Sequence, residues 1–114
     1  MLIRFEWDEN KNQQNRRKHD VRFETALLVF EDPYAISQRD FAFDQEERWI
    51  TVGNIGPGAI LLVVHTYHET QDEEIIRIIS ARAAESHERQ AYEQAQRTAE
   101  ARHPRDRRKK RRRH

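Results

Sequence analysis

The sequence predicts a single α+β domain, in which an antiparallel β-sheet carries two N-terminal helices and one C-terminal helix. Two observations indicate this class. Short segments rich in Ile, Val and Thr, either alternating or apolar throughout, are typical of strands. Around them lie segments with helical apolar spacing or with abundant Ala, Glu, Gln and Arg. The length of 114 residues suits one domain, which we predict to span residues 1–101.

The N-terminal segment predicts a strand followed by a polar helix. Leu2 to Trp7 alternates apolar and polar side chains, as a strand with one solvated face does. Asp8 is the expected N-cap of a helix over residues 9–18, because aspartate accepts hydrogen bonds from the free amides of a first turn. This helix is almost wholly polar, so we expect it at the surface, docked through few side chains.

A second helix is predicted over residues 23–30. Phe, Ala, Leu and Val recur there at three- and four-residue spacing until Asp32-Pro33 ends the pattern. This helix should face the core. Residues 34–40 then predict a short edge strand, and residues 41–46 predict a loop.

The remaining elements are three strands and a helix. The strands form a predicted antiparallel meander over residues 48–55, 60–66 and 75–81. Gly56-Pro57-Gly58 predicts the turn between the first two, because glycine supplies positive φ and proline fixes its own. A helix over residues 85–102 follows, with a thin apolar stripe that includes Tyr92.

The net charge of +1 is the sum of two opposite regions. Residues 102–114 hold nine Lys or Arg and one Asp, a net +8, which leaves a net −7 on residues 1–101. The basic segment, residues 102–114, has no apolar side chain to offset the entropy of ordering, so we expect disorder. It favours contact with polyanions. The candidate nucleic-acid-binding residues are Lys18, Arg107, Arg108, Lys109, Lys110 and Arg111.

Composition excludes several classes of protein. The chain has no cysteine, so it has no disulfide framework, zinc ribbon or thiol nucleophile. Its three glycines form no phosphate-binding motif, and we expect no cofactor. The first ten residues lack the apolar core of a signal peptide, and the longest apolar run, Ala59 to Val64, is too short to cross a bilayer. We expect a cytoplasmic protein without membrane contact.

Two arginines in the last predicted strand are the first candidates for chemistry. Side chains alternate along a strand, so Arg77 and Arg82 are expected on opposite faces. Arg77 lies between isoleucines on its own face, which indicates either an ion pair with a carboxylate or a ligand site. Arg82 lies where the strand passes into the helix, a common position for ligand contact.

Histidines could supply proton transfer beside these arginines, since imidazole titrates near neutral pH while guanidinium only stabilises negative charge. The candidates are His19 and His65, although each could equally be a structural residue at a helix or strand end. His65 and His68 should point to opposite faces of a strand, so we expect no metal site. The acidic pairs Asp8-Glu9 and Glu46-Glu47 are interpreted as a helix cap and an exposed turn.

The order of many residues resembles that of the BrnT family. The matching residues, in unbroken order, are Phe5–Lys11, Asn15, Lys18-His19, Val21, Phe23-Glu24, Ala26, Phe30–Pro33, Glu46–Arg48, Gly53, Val63-Val64, Thr66, Arg77–Arg82, Glu88-Arg89 and Tyr92. The resemblance implies a RelE-like fold and a ribonuclease toxin of a bacterial type II toxin–antitoxin system, which inhibits translation by cleaving RNA. It also implies a BrnA-type antitoxin with a ribbon-helix-helix domain, and binding of the complex to operator DNA.

Residue chemistry and this resemblance together suggest roles in a metal-independent cleavage. In it, the 2′-hydroxyl of the RNA attacks the adjacent phosphorus, which requires proton transfer and cations around the transition state. Arg77 and Arg82 are interpreted as charge stabilisers and Arg48 as the residue that positions the phosphate. His65 or His19 is the expected proton-transfer group.

Three positions depart from the family pattern and leave other functions open. Asp20 stands where glycine is usual, Ala83 where lysine is frequent and His68 where arginine is common. The last two remove cations near the expected site. A second hypothesis is therefore a catalytically inactive module that acts with a DNA-binding antitoxin as an operon repressor. A third is a general RNA-binding protein led by the basic segment.

Overall fold

The computed structural model describes residues 2–102, and these form a five-stranded sheet with three α-helices. The elements, in chain order, are β1 (Leu2–Glu6), α1 (Glu9–His19), α2 (Phe23–Ala26), a 3₁₀ helix (Leu27–Glu31), β2 (Ile36–Arg39), β3 (Trp49–Gly56), β4 (Ala59–Glu69), β5 (Glu73–Ala83) and α3 (Ser86–Arg102). Of the predicted basic segment, residues 103–114 lie outside the described residues, and so do its candidate nucleic-acid-binding residues. Within residues 2–102, no helix is long and apolar enough to span a membrane.

The sheet is mixed, so the prediction of an antiparallel sheet is wrong for one strand. The strand order is β1-β5-β4-β3-β2, and β2 to β5 pair antiparallel. β1 pairs parallel with β5, with Leu2 opposite Glu73 and Glu6 opposite Arg77. Alternation within Leu2–Trp7 predicts a strand but not its neighbour, because the direction of β1 is set by the long path through the helices and the meander.

The second predicted helix is replaced by two shorter ones. α2 ends after four residues, and the chain tightens into the 3₁₀ helix. This segment packs directly on β3 at Gly53, where an added Cβ would lie 2.9 Å from Cγ1 of Val29 and 3.1 Å from its carbonyl oxygen. The close approach leaves no room for a side chain at Gly53. The change from α-helix to 3₁₀ helix therefore accompanies packing against β3, which helical spacing in the sequence cannot reveal.

The two faces of the sheet carry separate apolar clusters. On one face, here called the α2 face, Val63 and Ile78 pack beneath Phe23 and Val29. On the other, the α3 face, Val52, Ile60 and Leu62 pack against Tyr92 of α3. The hydroxyl of Tyr92 donates to Asp32, whose carboxylate also accepts from the Asn54 amide, so α3 is tied to the end of the 3₁₀ helix and to β3.

α1 confirms the prediction of a polar surface helix that docks through few side chains. Asp8 caps it by accepting from the amides of Asn10 and Lys11, and Asp20 ends it in a left-handed conformation with φ of 58°. The buried residues of α1 are Asn12 and Asn15. A left-handed turn favours glycine, and aspartate tolerates it better than most other residues.

Asn15 joins α1 to the open edge of β5. β1 pairs with β5 only as far as Arg77, and beyond it the edge of β5 meets α1. The Asn15 amide completes that edge: Nδ2 donates to the Ala81 carbonyl at 2.8 Å and Oδ1 accepts from the Ala81 amide at 3.1 Å. Nδ2 also donates to the carbonyl of Val21 at 2.9 Å. One side chain therefore acts as a strand neighbour and fixes the turn after α1.

We expect Asn15→Ala to lower the free energy of unfolding by about 3 kcal/mol. Two buried backbone groups of Ala81 and the partly buried carbonyl of Val21 would lose their partner, and each buried unsatisfied group costs on the order of 1–3 kcal/mol. Urea denaturation measures the change. Gln14→Ala, at an exposed position of the same helix, is the control and should change stability by less than about 0.5 kcal/mol. Equal effects of the two substitutions would contradict the assigned role of Asn15.

Candidate active site

A one-residue β-bulge in β5 decides where its arginines point. Val64 pairs with Ser80, but the next residue, His65, pairs with Ile78, so Ile79 is the extra residue. The bulge shifts the alternation of side chains by one position. Arg77 lies opposite Thr66 and Arg82 opposite Leu62, so both lie on the α3 face. The expectation that they occupy opposite faces is wrong.

Arg77 and Arg48 converge on one carboxylate, that of Glu46. Arg77 donates from NH2 to Oε2 of Glu46 at 3.0 Å, and Arg48 donates from Nε to Oε1 at 3.3 Å. Arg48 immediately precedes Trp49, whose partner is His65, so extending the antiparallel register by one residue places Arg48 beside Thr66. The interpretation of Glu46 as part of a merely exposed turn is wrong. Its signal in the sequence, an acid two residues before an arginine, is too common to be diagnostic.

The loop that carries Glu46 is held by an aromatic contact. The Cζ atom of Arg48 lies 3.6 Å from the centroid of the Phe43 ring, which is cation–π geometry. The Arg48 side chain is 22% exposed, compared with 37% for Arg77 and 38% for Glu46. The guanidinium groups are therefore oriented by their neighbours while one side of the cluster remains open to solvent. We call Arg48, Arg77, Glu46 and Thr66 the arginine cluster.

Arg82 has a different environment from Arg77. It forms a two-pronged ion pair with Glu88, at 2.8 Å and 2.9 Å, and Glu88 also accepts from the backbone amide of Glu85. These hydrogen bonds raise the pKa of Arg82 and lower that of Glu88. The pair joins the end of β5 to the first turn of α3. Arg82 is five residues from Arg77, roughly 15 Å along a strand, so it is placed to position α3 rather than to join the arginine cluster.

His65 lies on the α2 face, away from the arginine cluster, and is 5% exposed. Nε2 contacts the Thr51 hydroxyl at 2.7 Å, and Nδ1 contacts the Thr66 carbonyl at 3.1 Å. Because a carbonyl only accepts, Nδ1 carries the proton and Nε2 accepts from Thr51, whose oxygen in turn accepts from Ser37. The ring packs edge-on against Phe30, with 5.0 Å between centroids. Burial lowers the pKa of His65, which favours the neutral form.

The other histidines are divided between the two sides of the sheet. His19 is the last residue of α1. This helix contacts Ala81 of β5 and Phe23 of α2, so His19 lies away from the arginine cluster. His68 follows Thr66 by two residues on β4 and shares the α3 face with Arg77. Neither His19 nor His65 is brought together with Arg48 and Arg77, and sequence alternation alone could have separated His65 from His68.

Two cavities lie away from the arginine cluster. One of about 500 Å³ lies beside α1, where arginines alternate with acidic side chains, and this mixture of charges does not select one ligand. Another of about 270 Å³ lies between α3 and the strands β2 and β3. Among residues 2–102, Glu85, His87 and Glu88 form the group with metal-binding spacing, but Glu88 is engaged by Arg82.

Two comparisons with known proteins now bear on this arrangement. Residues 7–88 match the profile of a family described as a ribonuclease toxin, BrnT, of a type II toxin–antitoxin system. The chain belongs to the BrnT family. The crystal structure of the Brucella abortus ribonuclease toxin BrnT is similar to it with a TM-score of 0.50 and 20% identity, over 75% of this chain and 100% of that chain. No curated protein matches the chain.

Membership of the BrnT family confirms the resemblance drawn from the residue order. The matched range includes α1, the whole meander and the arginine cluster, and it ends at Glu88 in the first turn of α3. At 20% identity, the similarity to the Brucella BrnT structure is evidence about the fold alone. It supports the α+β architecture with a mixed sheet. A type II system pairs its toxin with an antitoxin, so BrnT membership implies a protein partner.

We expect the free energy of unfolding to decrease as the pH is lowered below about 6.5, the ordinary pKa of histidine. The pKa of His65 is lower in the folded protein than in the unfolded chain, so below that pH the unfolded chain takes up a proton that the folded protein resists. Unfolding free energies from urea titrations between pH 5 and pH 8 measure the slope.

His65→Phe should remove part of that slope, because phenylalanine does not titrate. His87→Ala is the matched control, since the His87 side chain is 77% exposed and its loss should leave the slope unchanged. NMR titration of the His65 ring in the unsubstituted protein gives an independent reading. A ring that titrates at or above its ordinary pKa would contradict the buried, neutral assignment.

We expect Glu46→Gln to strengthen binding of inorganic phosphate about tenfold, which corresponds to about 1.4 kcal/mol. The carboxylate competes with any anion for the two guanidinium groups, and glutamine removes its charge while keeping its shape. Isothermal titration with phosphate measures the affinity. Glu47→Gln is the matched control, because Glu47 contacts Arg39 instead. An unchanged affinity in Glu46→Gln would show that the arginine cluster is not an anion site.

Proposed function

We propose that this chain is a ribonuclease toxin that cleaves RNA without a metal ion, and that the arginine cluster binds the scissile phosphate. The observation that carries the proposal is the convergence of Arg48 and Arg77 on the two oxygens of one carboxylate. The phosphodiester of RNA offers a similar pair of oxygens that share one negative charge, and this charge increases in the transition state. The proposal also draws on membership of a family described as ribonuclease toxins.

The chemistry follows from what two guanidinium groups can do. The 2′-hydroxyl oxygen of the RNA attacks phosphorus, and negative charge builds on the non-bridging oxygens in the transition state. Arg48, oriented by Phe43, would position the phosphate, and Arg77 would stabilise the added charge. Thr66 lies between them in the row across the sheet and could donate from its hydroxyl. Because guanidinium groups supply the positive charge, the reaction needs no metal, and EDTA should leave its rate unchanged.

Three other residues that the sequence suggested for catalysis have no direct role at the phosphate in this proposal. Arg82 contributes by holding α3 through Glu88 rather than by contacting the phosphate. His65 and His19 have no geometric support as proton-transfer groups, because both lie away from the arginine cluster. The partner is an antitoxin of the BrnA type with a ribbon-helix-helix domain, and the complex binds operator DNA. Cleavage of mRNA would take place in the cytoplasm.

Inducible expression in a bacterium, with and without a co-expressed antitoxin, tests the proposal. The full chain should arrest growth and inhibit translation, whereas Arg48→Ala with Arg77→Ala should reduce RNA cleavage at least 100-fold, as loss of transition-state charge stabilisation predicts. Arg97→Ala is the matched control, because Arg97 is an exposed arginine of α3 that contacts Gln94. Circular dichroism and thermal melting establish that each variant folds.

The outcome also separates the alternative functions. A folded, antitoxin-binding chain that yields no RNA cleavage products, with or without ribosomes, would contradict the ribonuclease proposal and favour an inactive module that represses its operon with the antitoxin. RNA binding that disappears when residues 104–114 are removed, and that weakens steeply with salt, would favour a general RNA-binding protein.

A further inference from the structure

His68 is a free histidine on the face that carries the arginine cluster. It lies two residues after Thr66 on β4, opposite Ile75, and the regular alternation of β4 keeps both side chains on the α3 face. His68 is exposed, and within residues 2–102 no hydrogen bond or ion pair engages its ring. This contrasts with His65, whose two ring nitrogens are both occupied.

The register places His68 within reach of a phosphate held by the arginine cluster. Arg77 is directly opposite Thr66, so His68 and Arg77 are diagonal neighbours on adjacent strands. Such neighbours are separated by about 7–8 Å, a distance that long side chains span. An anion that replaced the Glu46 carboxylate would lie above Thr66, between Arg48 and Arg77. The His68 ring can then approach an oxygen attached to that phosphorus.

The other described histidines do not meet this condition. His65 is buried on the α2 face, and His19 ends α1 beyond the opposite side of β5. His87 lies in the first turn of α3 beside Glu85 and Glu88, at the Arg82 end of the sheet. Histidine at position 68 therefore combines the right face, the right end of the sheet and a free ring.

We propose that His68 is the general base of the RNA cleavage reaction, an inference that rests on the proposed function. The neutral imidazole accepts the proton of the 2′-hydroxyl as that oxygen forms a bond to phosphorus. The bond from phosphorus to the 5′-oxygen breaks, and this leaving oxygen takes a proton from water. The hydroxide that remains takes the proton from the imidazolium, which regenerates water and neutral His68. The products are a 2′,3′-cyclic phosphate and a 5′-hydroxyl, so atoms and charge balance without a further reactant.

Charged side chains from three elements lie on the face that carries His68. Arg77 and Glu73 face it from β5, Arg4 and Glu6 face it from β1, and the loop before β3 contributes Glu46. Arg4 is paired with Glu6 at 3.3 Å and with Glu73 at 3.2 Å. Two cations and three acids therefore share the face of His68, and Arg77 is the cation that would also contact the phosphate.

Cleavage of a single-stranded RNA oligonucleotide, and of ribosome-bound mRNA, by the full chain between pH 5 and pH 9 tests the inference. We expect His68→Ala to lower kcat about 100-fold or more, the usual contribution of a general base. The rising limb of the pH profile, in the range where histidine titrates, should disappear, and added imidazole should restore part of the rate. Affinity for the same RNA with a 2′-deoxy nucleotide at the cleavage site should change less than twofold.

His87→Ala is the matched control, since this exposed histidine lies away from the arginine cluster and should keep both the rate and the pH profile. A His68→Ala variant that cleaves at the original rate with the original profile would overturn the role of His68 while leaving the ribonuclease proposal intact. Absence of cleavage by the unsubstituted chain, with or without ribosomes, would instead overturn the proposed function and the inference with it.

Discussion

The extra residue at Ile79 is the constraint on which the arrangement of side chains depends. Ile78 and Ala81, three residues apart, are both 1% exposed and both pack on the α2 face. Regular alternation would place one of them on the opposite face, so packing both on the α2 face requires a bulge between them. Burying an isoleucine contributes about 1.5–3 kcal/mol, more than the roughly 1 kcal/mol of a lost ladder hydrogen bond. Core packing therefore decides the register of β5.

That register places the buried side chains that stabilise the fold apart from the exposed side chains that can contact a ligand. His65 on the α2 face and Asn15 at the edge of β5 are buried, and their polar atoms are bonded to Thr51, Ala81 and other fixed partners. On the α3 face, the same bulge places Arg77 and Arg82 on one side of the strand. Neither arginine is part of the apolar core. Arg82 then anchors α3 through Glu88, while the other end of the same face stays open around Arg77. One strand thus holds a helix at one end and the proposed anion site at the other.

Much of the fold was accessible from the sequence because its causes are local. Asp8 caps α1 through amides two and three residues away, and Asp20 ends the helix through its own backbone angle. The strands β3, β4 and β5 follow from runs of β-branched residues joined by recognisable turns. The parallel pairing of β1 and the 3₁₀ helix were not accessible, because the first depends on the path of the whole chain and the second on contact with Gly53.

The sequence by itself determined the class of fold, the family and the residue types that can act on phosphate. Its ordered motifs carried the BrnT resemblance, and its chemistry singled out Arg48, Arg77 and Arg82 together with His19 and His65. Only the tertiary structure decided which of these residues meet. It joined Arg48 and Arg77 to Glu46 across a strand and a loop, and it placed Arg77 and Arg82 on one face of the sheet. The physical reason is that a sheet side chain's neighbours depend on register, and register depends on packing between residues distant along the chain.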